Sequence, residues 1–186
     1  TQAERVAVDA LIRMLKDAHT QGITVWQVSA AYRGESYQQQ LFDQQVKEYM
    51  DKNDLSYADA VSATKLTVME PGSSEHQSGY CADILNKKWA GLDRMNQDFE
   101  TEVEAYWMKE NCARFGFILR YPKDKEEVTR IAFEPWHFRY VGVEIATYIM
   151  ENGLSLEEFT AESQAALQDF VSRGGDIQKQ TDAEFR

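Results

Sequence analysis

The chain has 186 residues, 43% of them apolar, enough for one domain with a sizeable core. Its 31 acidic residues outnumber 20 basic ones, and the net charge of -11 argues against a nucleic-acid partner. Two cysteines, Cys81 and Cys112, make neither a disulfide framework nor a zinc–thiolate cluster, although one disulfide between them stays open.

Val6, Leu11, Met14, Leu15 and Ala18 recur at helical spacing and predict a helix over 3–19, stopped by Gly22. The β-branched run at 23–28 predicts a strand. Helices are expected over 36–50, with Leu41, Phe42 and Val46 on the apolar stripe, and over 57–68, ended before Pro71-Gly72. A strand at 80–85 follows. Next comes a helix over 98–114 with Val103, Tyr106, Trp107 and Ala113 facing inward, then a strand at 117–120. After a turn at 122–125, a strand is expected at 128–133 and a helix over 139–151, closed by Asn152-Gly153. Ser155 with Glu158 reads as the capping box of a last helix. This irregular order predicts an α+β fold, a small central antiparallel sheet flanked by helices. One domain is expected over 1–172, with a polar tail at 173–186. No apolar run is long enough to cross a membrane, and no signal-like segment opens the chain. The chain also lacks a starting Met, so that absence assigns no compartment.

Three histidines are present. His19 closes the first helix, where a cationic or hydrogen-bonding side chain suits the exposed carbonyls. His76 lies in a turn-prone run that ends at Asp83. His137 follows Glu134-Pro135-Trp136, where Pro135 fixes the local backbone. Catalytic zinc takes about three His, Asp or Glu ligands and keeps one position open. His76, Asp83 and His137 are such a set, with Glu134 left over as a base. On one straight strand, residues seven apart would face opposite ways, but the turn residues around Gly79 let the chain bend back. Spacing alone also fits a surface His76, an ordinary Asp83 and a packed His137, because the helical HExxH signature is absent.

The run Ser74-Glu75-His76-Gln77-Ser78-Gly79-Tyr80-Cys81-Ala82-Asp83 resembles the SxHxxGxAxD motif of the VanY-type zinc D-alanyl-D-alanine carboxypeptidases. Glu134-Pro135-Trp136-His137 resembles the ExxH motif of that family, and Gly116 to Pro122 the stretch before it. Ser29 to Arg33, with Gln38 and Leu41-Phe42, resembles the arginine-bearing segment. The resemblance runs from about residue 5 to residue 160. Cys81 stands where the motif has Ala, and neither that departure nor Gly34 after Arg33 removes a ligand or the base.

The resemblance implies the fold shared with VanX dipeptidases and hedgehog-like zinc domains. It implies one catalytic Zn2+ on His76, Asp83 and His137, Glu134 as general base and Arg33 as the carbonyl-polarising residue. Ser74, Gln38 and Trp136 are then expected near the bound peptide. The implied reaction is hydrolysis of the terminal D-Ala-D-Ala bond of a peptidoglycan stem pentapeptide by a monomeric, extracytoplasmic bacterial enzyme. An L,D-carboxypeptidase acting on the tetrapeptide shares these motifs, and a dipeptidase or a non-catalytic zinc module resembles the chain less.

Overall fold

The computed structural model describes residues 3–92 and 95–177. Helix α1 (Arg5–Thr20) buries Ala7, Ala10, Met14 and Ala18 and leaves Val6 exposed. Three small residues on that face let the helix lie close against the core. Strand β1 (Gln27–Ala30) starts later than the apolar run suggests; Trp26 instead donates its indole N–H to the carbonyl of Ile23 at 3.0 Å. Helices α2 (Glu35–Asn53) and α3 (Tyr57–Thr64) pack around a small core of Phe42, Val46 and Ala60. The Ser56 hydroxyl caps α3 by accepting from the Asp59 amide.

Strand β2 (Cys81–Leu85) is buried along its whole length and leads into the short helix α4 (Lys87–Ala90). Helix α5 (Val103–Asn111) turns Glu104, Ala105, Trp107 and Met108 inward. Val103 and Tyr106, expected inside, are 60% and 66% exposed. The reason is that the segment is not one continuous helix. A 3-10 turn at Gln97–Thr101 precedes α5, another at Cys112–Phe115 follows it, and the inner face rotates accordingly. Gly116 at φ 85° then reverses the chain into strand β3 (Phe117–Leu119).

The strand expected at 128–133 is absent. A short helix, α6 (Glu126–Thr129), occupies its start, and Arg130 at φ 62° ends it. Strand β4 (His137–Tyr140) takes the first residues of the helix expected over 139–151, which begins only at α7 (Val143–Glu151). Cross-strand pairing decides this, and Gly142 at φ 88° separates the two elements. Helix α8 (Leu156–Ser172) starts at the capping box of Ser155 and Glu158. Part of the polar tail lies outside the described residues.

The sheet order is β1-β2-β4-β3, antiparallel throughout, so the fold is α+β. Alternation gives the central strands two distinct faces. Ala82, Ile84 and Phe138 enter the main core with Phe99, Met108 and Phe117. Truncating a phenylalanine there to Ala would cost about 3–5 kcal/mol. Cys81, Asp83 and His137 occupy the opposite face, and that face carries the polar cluster.

Candidate metal centre

Asp83 and His137 are direct cross-strand partners on β2 and β4. Oδ1 of Asp83 lies 3.0 Å from Nδ1 of His137. His76 arrives from a 3-10 turn, Glu75–Ser78, closed by Gly79 at φ 72°. A side chain at Gly79 would be strained in that conformation, and its Cβ would meet the Glu4 amide at 3.0 Å. The turn folds the chain back, so Nε2 of His76 reaches 3.3 Å from Oδ2 of Asp83. The two imidazole rings meet edge-on, 4.9 Å between centroids. Nδ1 of His76 lies 2.5 Å from the carbonyl of Ala31, which fixes the ring with Nε2 toward the cluster.

Arg33 follows β1. Its backbone amide donates to the carbonyl of His76 at 3.1 Å. Its Nη2 donates to Oδ2 of Asp83 at 2.6 Å and stands 2.6 Å from Nε2 of His76. Nη1 donates to Oε1 of Gln38 at 3.3 Å, while Gln38 donates to the carbonyl of Met69 at 2.8 Å. Gln38, only 1% exposed, therefore holds the guanidinium as well as lining the cleft.

Glu134 precedes β4 by three residues, and its Oε2 lies 3.6 Å from Nδ1 of His137. Burial pushes its carboxyl up to about 7; His137 pulls the other way and the Asp83 carboxylate adds to the rise. A carboxyl poised there exchanges a proton near neutral pH. Burial also disfavours a charged ring at His76 and His137, but Asp83 outweighs it and raises both pKa values, that of His76 to about 9. A field that holds protons on two buried rings also favours a divalent cation in their place. Oδ1 of Asp83 is a buried acceptor without a hydrogen-bond partner among the described residues, and the Asp83 carboxylate, with Oδ1 beside Nδ1 of His137 and Oδ2 beside Nε2 of His76, offers with the two rings N and O donor types that suit zinc.

The other edge of the His137 ring faces a carboxylate that sequence reasoning did not single out. Oε2 of Glu75 lies 3.6 Å from Nε2 of His137. Arg120 donates to Oε1 of Glu75 at 2.7 Å and makes a two-point pair with Glu157 of α8, at 2.6 and 3.0 Å. Tyr121 lies against the ring, 5.0 Å between centroids. The signal available in the sequence was adjacency alone, Glu75 beside His76 and Arg120 beside Tyr121.

A cleft of about 520 Å³ opens over this cluster. Ser74, buried, and Trp136, 9% exposed, both line it, and Trp136 also belongs to the main core. Across the cleft, α2 presents Gln45, whose buried side-chain N–H group has no hydrogen-bond partner among the described residues. Thus all eight residues expected at the site fall on one cleft. His19 lies at the exposed end of α1 and does not line this cleft. Cys81 and Cys112 are free thiols, so the disulfide is not formed. Burial pushes the Cys112 thiol up to about 12, which keeps it protonated.

Comparison with known proteins gives a consistent picture. Residues 1–143 match the family profile described as VanY, D-alanyl-D-alanine carboxypeptidase. A D-alanyl-D-alanine carboxypeptidase of Enterococcus faecalis is 44% identical over 133 residues, 71% of this chain and 46% of that protein. The chain spans about half the length of the curated relatives it matches first. Among solved structures, a mutant VanY D,D-pentapeptidase from a VanB-type resistance cassette, in complex with Zn(II), superposes with a TM-score of 0.73 at 38% identity, covering 85% of this chain and 83% of that one. VanYB in complex with D-alanine-D-alanine gives 0.74 at 37% identity, covering 86% and 82%. The LdcB LD-carboxypeptidase gives 0.72 at 34% identity, covering 86% and 68%.

Proposed function

The chain belongs to the VanY family of D-alanyl-D-alanine carboxypeptidases, and on that premise we propose that it is a zinc-dependent D,D-carboxypeptidase. Its substrate is a peptidoglycan stem pentapeptide, from which it releases the terminal D-Ala outside the cytoplasm. The observation that carries the reading is the convergence of His76, Asp83 and His137 beside Glu134 in one cleft. The VanYB complex with D-alanine-D-alanine supports the D,D choice.

His76, Asp83 and His137 would hold the metal. When bound, zinc supplies a Lewis acid for the scissile carbonyl and acidifies an attacking water. Oε2 of Glu134, 3.6 Å from Nδ1 of His137, takes the proton from that water and returns it to the leaving amine. Arg33 brings a fixed positive charge to the ligand side of the cleft, where negative charge builds on the carbonyl oxygen. Gln38 keeps that guanidinium in place. Gln45 offers the peptide an unused donor, and Ser74 and Trp136 shape the wall beneath it.

Product analysis on matched penta- and tetrapeptides tests the proposal. Free D-Ala is expected from the pentapeptide. Release from the tetrapeptide alone would replace this reading with an L,D-carboxypeptidase built on the same site.

A further inference from the structure

We propose that Glu157 of α8 is a positioning residue for the metal ligand His137, acting through Arg120 and Glu75. The inference rests on the metal-site reading above. Helix α8 lies beyond the residues that match the family profile and does not line the cleft. Its tie to the site is a chain of charged groups. Nε of Arg120 donates to Oε1 of Glu75 at 2.7 Å. Its two terminal nitrogens donate one to each oxygen of Glu157, at 3.0 and 2.6 Å. Every guanidinium nitrogen is therefore engaged. Oε2 of Glu75 stands 3.6 Å from Nε2 of His137, and neither atom has a hydrogen-bond partner among the described residues. The backbone makes a second link, since the Arg120 amide donates to the carbonyl of His137 at 3.1 Å.

Guanidinium geometry explains why Glu157 matters. An arginine with a free fork grips a carboxylate through two parallel bonds. Released from Glu157, Arg120 would take both oxygens of Glu75 and draw Oε2 away from the ring. With Glu157 on both terminal nitrogens, only Nε remains for Glu75, and Oε2 stays turned to His137. A carboxylate on the far nitrogen of a metal-bound imidazole fixes the ring and raises its basicity. The Arg120 and Glu75 side chains are 9% and 16% exposed, so water screens these charges little. Helix α8 also supplies its own control one residue further on. Lys125 pairs with Glu158 at 3.0 Å, and this tie leads from α8 only to the turn at Lys123–Lys125. Both pairs hold the start of α8, and only that of Glu157 points to the metal centre.

Chelator competition for zinc on the full chain tests this, with thermal unfolding followed on the same samples. Glu157→Gln should weaken zinc affinity about tenfold, the lower end of what groups behind a ligand contribute. Lys125→Met should leave zinc affinity at the wild-type value, whatever it does to the unfolding temperature. In a Glu75→Gln background, Glu157→Gln should weaken zinc no further, because the route to His137 is already broken. A merely structural role for Glu157 would instead give losses that add. Wild-type affinity in Glu157→Gln, an equal loss in Lys125→Met, or additive losses in the double variant would each overturn the proposal and leave the metal centre standing. Zinc binding that survives His137→Ala unchanged would overturn the metal centre and this proposal with it.

Discussion

Two walls face each other across the cleft, and they are built differently. The sheet wall carries Asp83 and His137 on paired central strands, backed by a continuous core that includes Ile84, Phe99, Phe117 and Phe138. The helical wall is α2 with α3, and its core is Phe42, Val46 and Ala60 with a few half-buried neighbours. Burial stabilises roughly in proportion to the apolar area removed from water, so the sheet wall has the larger resistance to distortion. Donor atoms around a metal must hold their geometry to fractions of an ångström, whereas a wall that receives a peptide can give. The reacting groups stand on or beside the stiffer wall; the helical wall offers Gln45 and shares Gln38 with the Arg33 clamp.

That contrast predicts a graded set of effects. The largest is expected at Glu134. Replacing it with Ala should lower kcat by about a hundredfold to ten-thousandfold, the range of general acid–base catalysis, while metal content stays near wild type. Activity assays paired with metal analysis check both halves. Loss of the metal would mean that Glu134 is itself a ligand.

A middle effect is expected at Glu75, which backs His137 from behind. Glu75→Gln should weaken metal affinity by about tenfold to a hundredfold, measured by chelator competition. The same variant has a pH signature. Burial opposes ionisation of Glu75, but His137 and Arg120 outweigh it and lower its pKa to about 2. The folded-state value thus lies below an unfolded value of about 4.3, so Glu75 contributes stability above that pH. The contribution drains away as pH falls from about 4.3 toward about 2. Acid unfolding of Glu75→Gln should be flatter across that window, and identical acid curves would remove Glu75 from the network.

The smallest effect belongs to the helical wall. Gln45→Ala should raise KM by about threefold to tenfold, the worth of one net hydrogen bond, with kcat and metal content unchanged. A fall in kcat instead would place α2 among the groups that act on the reacting atoms and erase the contrast between the walls.

How much of this was legible in the sequence varies by residue. His76, Asp83, Glu134 and His137 stood out because ionisable groups in turn-rich runs fit no apolar periodicity, whereas Arg33 came only from the resemblance of its segment to the VanY family. Glu75 did not stand out, because its role depends on a ring contributed from β4, 62 positions further along. Arg120 stayed hidden for the same reason, its partners lying on the 3-10 turn before β2 and on α8. The strand expected at 128–133 failed because its β-branched residues have no partner strand, while His137 to Tyr140 has two. Strand propensity expresses fit to a neighbour more than any preference of the isolated chain.

The sequence by itself determined the class of fold, the order of the longer helices and the donor types available for a metal, since these follow from local periodicity and side-chain chemistry. Only the tertiary structure decided which donors meet. Antiparallel register sets Asp83 opposite His137, and a shift of one residue would turn either side chain to the other face of the sheet. The turn at Gly79 then decides that His76 comes back to them, and the same register brings Cys81 beside them. Those are contacts between distant segments, fixed by backbone pairing and burial, and no local pattern encodes them.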